Sequence, residues 1–306
     1  MSQPLKIGII GYDTSHVPAF TRLLNDAADP FHVPGGRVVC GLPTYSEDLA
    51  ASYSRVEGFK QQMEDDLGVE TVDSIAALLE RVDAVLLESV DGRRHLAEVQ
   101  PVIAAGVPVY VDKPLAADYA EAAEITRLAE AAGCPLFSSS SLRYDANVQA
   151  IVDDPELGAV ITCDAYSPAT LDPTNPGLFW YGVHGVETLY TFMGAGCEWV
   201  RCYSSEACDV VVGGWPDGRL ATMRGTRAGT HAYGVTVHAE NKVAQTGYSK
   251  TVPLYHQLLK QIIPFLRTGQ SPVPAAETLE IMAFMQAALV SAQEGRQVAL
   301  SEIQGA

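Results

Sequence analysis

The sequence predicts an α/β protein in two parts. Residues 1–142 read as a doubly wound parallel sheet, and residues 143–306 as an α+β domain with a largely antiparallel open sheet. Three observations carry this. Short continuous apolar runs alternate with helix-period stretches through the first half, the pattern of parallel strands covered on both faces. After about residue 142, strand-like segments follow one another, with Asp217-Gly218 between two of them as a hairpin turn. The length of 306 residues also suits two domains at roughly 150 residues each, or one large one.

Leu5 to Ile10 is a compact strand. Val17, Phe20, Leu23, Leu24 and Ala27 then recur at helical spacing, with Thr14 and Ser15 as N-caps. Arg37 to Gly41 is a second strand, about thirty residues on, which is the length of one βαβ unit. A helical stretch from Ser46 and a short helix over Ile75 to Arg81 lead to a third strand at Ala84 to Leu87. A helix near His95 to Ala105 precedes the strand Val107 to Val111. Asp118 to Ala132 places Ala122, Ile125, Leu128 and Ala132 on one helix face, with Gly133 as terminator. Leu136 and Phe137 begin a fifth strand.

In the second half, Ala159 to Tyr166, Glu198 to Ser204, Val210 to Trp215, Leu220 to Gly225 and Ala232 to His238 are strand-like. One helix, Val183 to Met193, closes at Gly194, and two more cover Leu254 to Arg267 and Ala276 to Gln293. The loop Ser167 to Phe179 is long, polar and rich in proline, which suits the lining of a site.

Hydrophobic residues make up 47% and charged residues 19%, the profile of a folded globular chain. The net charge of −17 argues against a nucleic-acid groove or an anionic membrane surface as the main partner, since both need basic patches. Apolar runs such as Val102 to Val111 and Ile281 to Val290 fall short of the ~20 residues a membrane span requires. With no leader pattern before Ile7, a cytoplasmic location is expected. Six cysteines, none in a C-x-x-C pair, read as small buried apolar residues.

Ligands of doubly wound sheets bind beyond the carboxyl ends of the strands, with phosphate at the first helix N-terminus. That turn reads Gly8-Ile-Ile-Gly11-Tyr12-Asp13-Thr14-Ser15-His16. A dinucleotide fingerprint starting at Gly11 would place its second and third glycines at Asp13 and His16, and both are missing. A carboxylate at Asp13 repels a pyrophosphate unless it turns away. The hydroxyls of Thr14 and Ser15 and the helix N–H groups remain able to bind phosphate, or the three side chains simply cap the helix. The second strand ends in Leu42-Pro43-Thr44-Tyr45-Ser46, with neither an acid for ribose hydroxyls nor an adjacent Arg for a 2′-phosphate. NAD and NADP are therefore indistinguishable at this point.

Three segments in order add to this frame: Asp83-Ala-Val-Leu-Leu-Glu-Ser89, Val111-Asp112-Lys113-Pro114-Leu-Ala, and Trp180-Tyr-Gly182-Val-His184-Gly-Val-Glu187. With them the chain resembles the glucose–fructose oxidoreductase and inositol dehydrogenase family (Gfo/Idh/MocA) along nearly its whole length. In that family the corresponding motifs are Glu-Lys-Pro and Asp-x-Gly-x-His-x-x-Asp, so Asp112, Trp180 and Glu187 are departures. The resemblance implies a Rossmann-type first domain binding NAD or NADP, and hydride transfer to or from a sugar-like or cyclitol-like substrate. It implies Lys113 and His184 as catalytic residues: Lys113 orienting the substrate hydroxyl and His184, with its pKa naturally near neutrality, exchanging the proton. Cofactor contacts fall to Gly11, Tyr12, Asp13, Thr14, Ser15, Ser89, Asp112, Lys113 and Pro114, with Pro114 holding Lys113 extended.

Substrate contacts fall to Lys113, Arg143, Trp180 and His184, with Trp180 offering a stacking face. An interdomain salt bridge is the other reading of Arg143. His95 follows the third strand where the family often has Asn-x-x-His, and helix capping is its other reading. Glu187, one helical turn from His184, pairs with it or joins it on a metal; with no third ligand marked, no metal is expected. The resemblance also implies a homo-oligomer, dimer or tetramer, paired through the open sheet of the second domain; light scattering showing a monomer would remove that expectation. Other readings are a ligand-binding or regulatory member that has weakened or lost its dinucleotide, and a lyase or hydrolase in which tightly held NAD cycles within one turnover.

Overall fold

The computed structural model describes residues 3–305. The chain divides into two compact units. The first takes the chain up to Ala116, Ala120–Ser139 and Tyr255–Ala275; the second takes Ala117–Tyr119, Ser140–Leu254 and the chain from Ala276 on.

The first unit is built on a six-stranded sheet of order β3-β2-β1-β4-β5-β6, with every pairing parallel. Its strands are β1 (Leu5–Ile10), β2 (Gly36–Leu42), β3 (Glu70–Thr71), β4 (Ala84–Leu87), β5 (Val109–Val111) and β6 (Leu136–Phe137). All four residues of β4 and all three of β5 are buried, as the unbroken apolar runs require of strands covered on both faces. The connecting helices are α1 (His16–Asn25), α2 (Ala50–Tyr53), α3 (Val56–Gln61), α4 (Ile75–Leu79), α5 (His95–Ala104) and α6 (Tyr119–Ala132). Helix α1 buries Val17, Phe20, Leu23 and Leu24, four of the five residues whose spacing marked it; Ala27, the fifth, lies past its end at Asn25 and is exposed. Strand β3 is new: two residues carry no readable period. The strand at Ala84 is therefore the fourth, and that at Leu136 the sixth.

The second unit carries a seven-stranded sheet. Its elements begin with α7 (Ala146–Val152), β7 (Val160–Pro168), α8 (Val183–Met193), β8 (Trp199–Ser204), β9 (Cys208–Gly214), β10 (Leu220–Thr226), β11 (Gly234–Ala239) and β12 (Val243–Gly247). They end with α10 (Ala275–Glu294), β13 (Val298–Ala299) and α11 (Leu300–Gln304), while α9 (Leu254–Thr268), which lies between β12 and α10 in the chain, belongs to the first unit. The sheet order is β12-β11-β7-β10-β9-β8-β13, antiparallel except for β7 beside β10. Gly218, at φ +86°, turns the β9–β10 hairpin. Gly194, at φ +68°, closes α8, whose Tyr190 carbonyl accepts its N–H.

Residues Tyr255–Ala275 belong to the first unit, whereas the sequence assigned the whole of 143–306 to a second domain. Phe265 packs edge-on against Phe137 of β6, and Arg267 donates to the carbonyls of Gln3 and Gly35. Periodicity marks α9 as amphipathic but does not say which sheet receives its face. Helix α10 is the one helix among the described residues long and apolar enough to cross a membrane. It is a core helix of the second unit: half of that stretch is buried, with Phe284 edge-on to Tyr190 and seated against Gly213 of β9.

Candidate functional site

In the first unit the loop after β1 is tied down from two sides. Gly11 sits at φ +88°, and a Cβ there would lie 2.4 Å from the backbone nitrogen of Ser89, so only glycine fits. Its N–H donates to the Leu42 carbonyl at the end of β2. Asp13 turns inward. Fully buried, it accepts from the Ser52 hydroxyl at 2.5 Å and from the Val90 N–H at 2.9 Å, so its carboxylate is directed away from any phosphate at α1. Burial raises its pKa first, and these two hydrogen bonds pull it back. Tyr12 is fully buried over Gly41, which leaves only its backbone for a cofactor. Ser89 is likewise buried, donating to Glu98 at 2.5 Å. His95 spans the Ser89 and Leu115 carbonyls, at 2.7 and 3.1 Å, and fastens two loops together.

The α1 N-terminus fits a pyrophosphate. Its first turn carries no acidic residue, Ser15 is exposed, and the Ser15 side chain makes no capping bond. At the ends of β2 and β4 lies a cavity of about 400 Å³ lined by Ser46, Glu47, Asp48, Asp91, Arg93 and Arg94. The acid and the arginine missing from the β2 end are thus present in space. Arg93 is held by Asp48 and Asp91, with shortest contacts of 2.7 and 2.6 Å.

His16, where the third glycine of the fingerprint would stand, faces the strand ends. Its Nδ1 lies 3.2 Å from Glu88 Oε2 and 3.2 Å from Asp112 Oδ2. Glu88 follows β4 and Asp112 follows β5, one residue beyond the paired Leu87 and Val111, and neither is more than 1% exposed. Phe20 and Tyr255 wall the imidazole. Burial pushes Glu88 up to about 7, with the hydrogen bond from His16 opposing and the Asp112 charge adding to it. Burial acts the same way on Asp112, but the charges of His16 and Lys113 outweigh it and hold Asp112 below the usual carboxylate range. His16 is raised well above its ordinary value because Asp112 and Glu88 overcome the burial that opposes its charge. Lys113 Nζ lies 3.3 Å from Asp112 Oδ2, and the Lys113–Pro114 bond is cis. The sequence singled out Asp112 and Lys113 but missed His16 and Glu88. The available signal was an acid directly after an all-apolar strand and a histidine in a glycine's place.

In the second unit His184 opens α8. The first turn of α8 follows the short helical turn Gly177–Phe179, with Trp180 half-buried between them. His184 Nδ1 lies 2.7 Å from Ser140 Oγ, and the rings of Tyr181 and Tyr233 stand edge-on to it at 5.6 and 5.9 Å. Glu187 accepts from the Ser140 N–H at 3.1 Å and from Arg143 Nε at 2.7 Å. Arg143 also meets Glu277 at 2.8 Å, an ion-pair contact without good hydrogen-bond geometry. Its pairing is internal to the second unit, not an interdomain bridge.

A family model described as "Oxidoreductase family, NAD-binding Rossmann fold" (GFO_IDH_MocA) matches residues 5–140. No curated protein matches the chain. Among solved structures, the chain is similar to a probable dehydrogenase from Thermotoga maritima, with a TM-score of 0.78 at 19% identity over 98% of this chain and 100% of that one. It is similar to myo-inositol 2-dehydrogenase from Lactobacillus plantarum, with a TM-score of 0.78 at 17% identity over 97% and 99%. It is also similar to the WlbA dehydrogenase from Bordetella pertussis, solved with NADH and UDP-GlcNAcA, with a TM-score of 0.78 at 17% identity over 98% of each chain. At these identities the likeness shows a common fold.

Proposed function

We propose that the protein, whose residues 5–140 match the GFO_IDH_MocA model of an oxidoreductase family with an NAD-binding Rossmann fold, oxidises or reduces a carbon of a small polyhydroxylated molecule, sugar-like or cyclitol-like. The observation that carries this is Lys113, held beside Asp112 just past β5, at the carboxyl edge of the sheet where such folds bind their ligands. When bound, the nicotinamide supplies or accepts the hydride.

The chain's own residues do the rest. The Lys113 ammonium orients the reacting hydroxyl and favours its alkoxide form. His184, fixed through Nδ1 by Ser140, exchanges the hydroxyl proton at Nε2. Tyr181, 39% exposed, and the half-buried Trp180 offer aromatic faces for a sugar ring. Support for a polyhydroxylated substrate comes from the neighbours, which include a myo-inositol dehydrogenase and an enzyme solved with a UDP-sugar acid. Homo-oligomer formation and a cytoplasmic location belong to the same proposal.

Lys113→Met tests it. Assayed by nicotinamide absorbance against inositols and hexoses, the variant loses turnover while far-ultraviolet circular dichroism and NAD affinity stay at wild-type values. Unchanged turnover overturns the assignment. A second reading, a non-redox ligand-binding member, is favoured by one feature: His16 and two buried carboxylates occupy the end of the nucleotide turn that a glycine normally keeps open.

A further inference from the structure

We propose that His16, Glu88 and Asp112 form a binding site for one divalent transition-metal ion. The three residues come from separate elements, the first turn of α1 and the ends of β4 and β5, and all are buried. Their ligand atoms lie within 4.8 Å of one another. Both carboxylate oxygens are 3.2 Å from the same imidazole nitrogen. For metal–ligand bonds of 2.0–2.1 Å, the edge of a tetrahedron is about 3.3 Å, so both distances match edges of such a site.

Hydrogen bonding among the three leaves oxygens over. Nδ1 offers one N–H or one lone pair and serves one of two equidistant oxygens. Glu88 Oε1 and Asp112 Oδ2 are buried without a hydrogen-bond partner among the described residues. Lys113 stands 3.3 Å from Asp112 Oδ2, and its charge also acts on Glu88, so one lysine is set against two buried carboxylates. A buried carboxylate in that position calls for a cation. An ion placed among the three would take one imidazole nitrogen and two carboxylate oxygens, a donor set suited to Zn²⁺, Mn²⁺ or Fe²⁺. A fourth position is left for water or a ligand oxygen. Phe20, stacked on the imidazole, and Tyr255, edge-on to it at 4.6 Å, fix the ring plane.

The test uses full-length protein stripped with a chelator, then titrated calorimetrically with Zn²⁺ and optically with Co²⁺. Expected are one equivalent of metal retained through gel filtration, and visible Co²⁺ bands of a low-coordinate site. Glu88→Gln, which keeps the shape of the side chain, and His16→Gln should each lower Zn²⁺ affinity at least ~100-fold, since even partners outside the first shell cost 10–100-fold. Circular dichroism confirms that both variants remain folded. No stoichiometric binding by the wild type overturns the proposal and leaves a proton as the cation shared by the three side chains. Binding undiminished in both variants overturns it in favour of adventitious metal elsewhere. Because the readout is metal content, failure here leaves the redox reading intact, and failure of that reading leaves this site intact.

Discussion

Arg143 is 8% exposed, and a guanidinium out of water is tolerated only where carboxylates face it. Glu187 and Glu277 do so, and burial, which works against its charge, is outweighed by their two charges, so Arg143 stays protonated. Glu187→Ala removes one partner and also the acceptor of the Ser140 N–H. The expected cost is on the order of 3 kcal/mol, the low end for stranding a buried charge, because Glu277 remains. Urea denaturation reads it as a lowered midpoint at unchanged m-value. A loss below about 1 kcal/mol would mean that the group is solvated. The same contacts show what residue-level reading of a sequence reaches. Arg143 stood out because it follows a strand end in a chain with few cations. Its partners, 44 and 134 positions away, did not, since which distant carboxylate answers a buried charge depends on how α8 and α10 pack. Asp13 is the converse case: legible as a problem at the phosphate turn, and solved by Ser52 and Val90, which nothing in the local sequence connects to it.

Helix α1 begins with an exposed serine that makes no capping bond; the Val17 N–H is taken by the Thr14 carbonyl and Pro18 has none, so it is chiefly the positive dipole end that is available to an anion. Stability and binding then respond oppositely to a charge placed there. Ser15→Asp should stabilise the protein by about 0.5 kcal/mol through the helix dipole. The same carboxylate should weaken NAD by tenfold or more, because it sits where the pyrophosphate would. A thermal melt and a calorimetric titration on one sample check both signs. If NAD binds the variant as tightly as the wild type, the phosphate does not use this helix end. Elements with a strong period and a stop signal were legible almost to the residue: α8 runs from Val183 to Met193 and ends at Gly194, as its spacing and terminator require. The two-residue strands β3 and β13 were not, because they have no period to read; tertiary pairing alone defines them.

Two units with their own sheets allow a ligand to act on one of them first. The order of the motifs was legible along the chain and gave the resemblance to the family whose model matches residues 5–140. The return of Tyr255–Ala275 to the first unit was not, because an amphipathic helix fits any complementary sheet face. Every residue named for the dinucleotide lies in the first unit, so bound NAD should stabilise that unit directly. At a hundredfold excess over its dissociation constant the gain is about 2.7 kcal/mol, which for a unit of this size raises its transition by roughly 5–10 °C. NADP should give the smaller shift at equal concentration. A 2′-phosphate at the β2 end meets Glu47, Asp48 and Asp91, while Arg93 is already held between two of them and Arg94 is paired with Glu98. Differential scanning calorimetry of the full chain with each dinucleotide distinguishes the cases. A shift with NAD exceeding that with NADP supports the oxidoreductase reading and the acidic ribose pocket together. The reverse order keeps the first and removes the second. Silence to both up to millimolar concentration favours the non-redox member, in which His16, Glu88 and Asp112 have taken over the end of the nucleotide site.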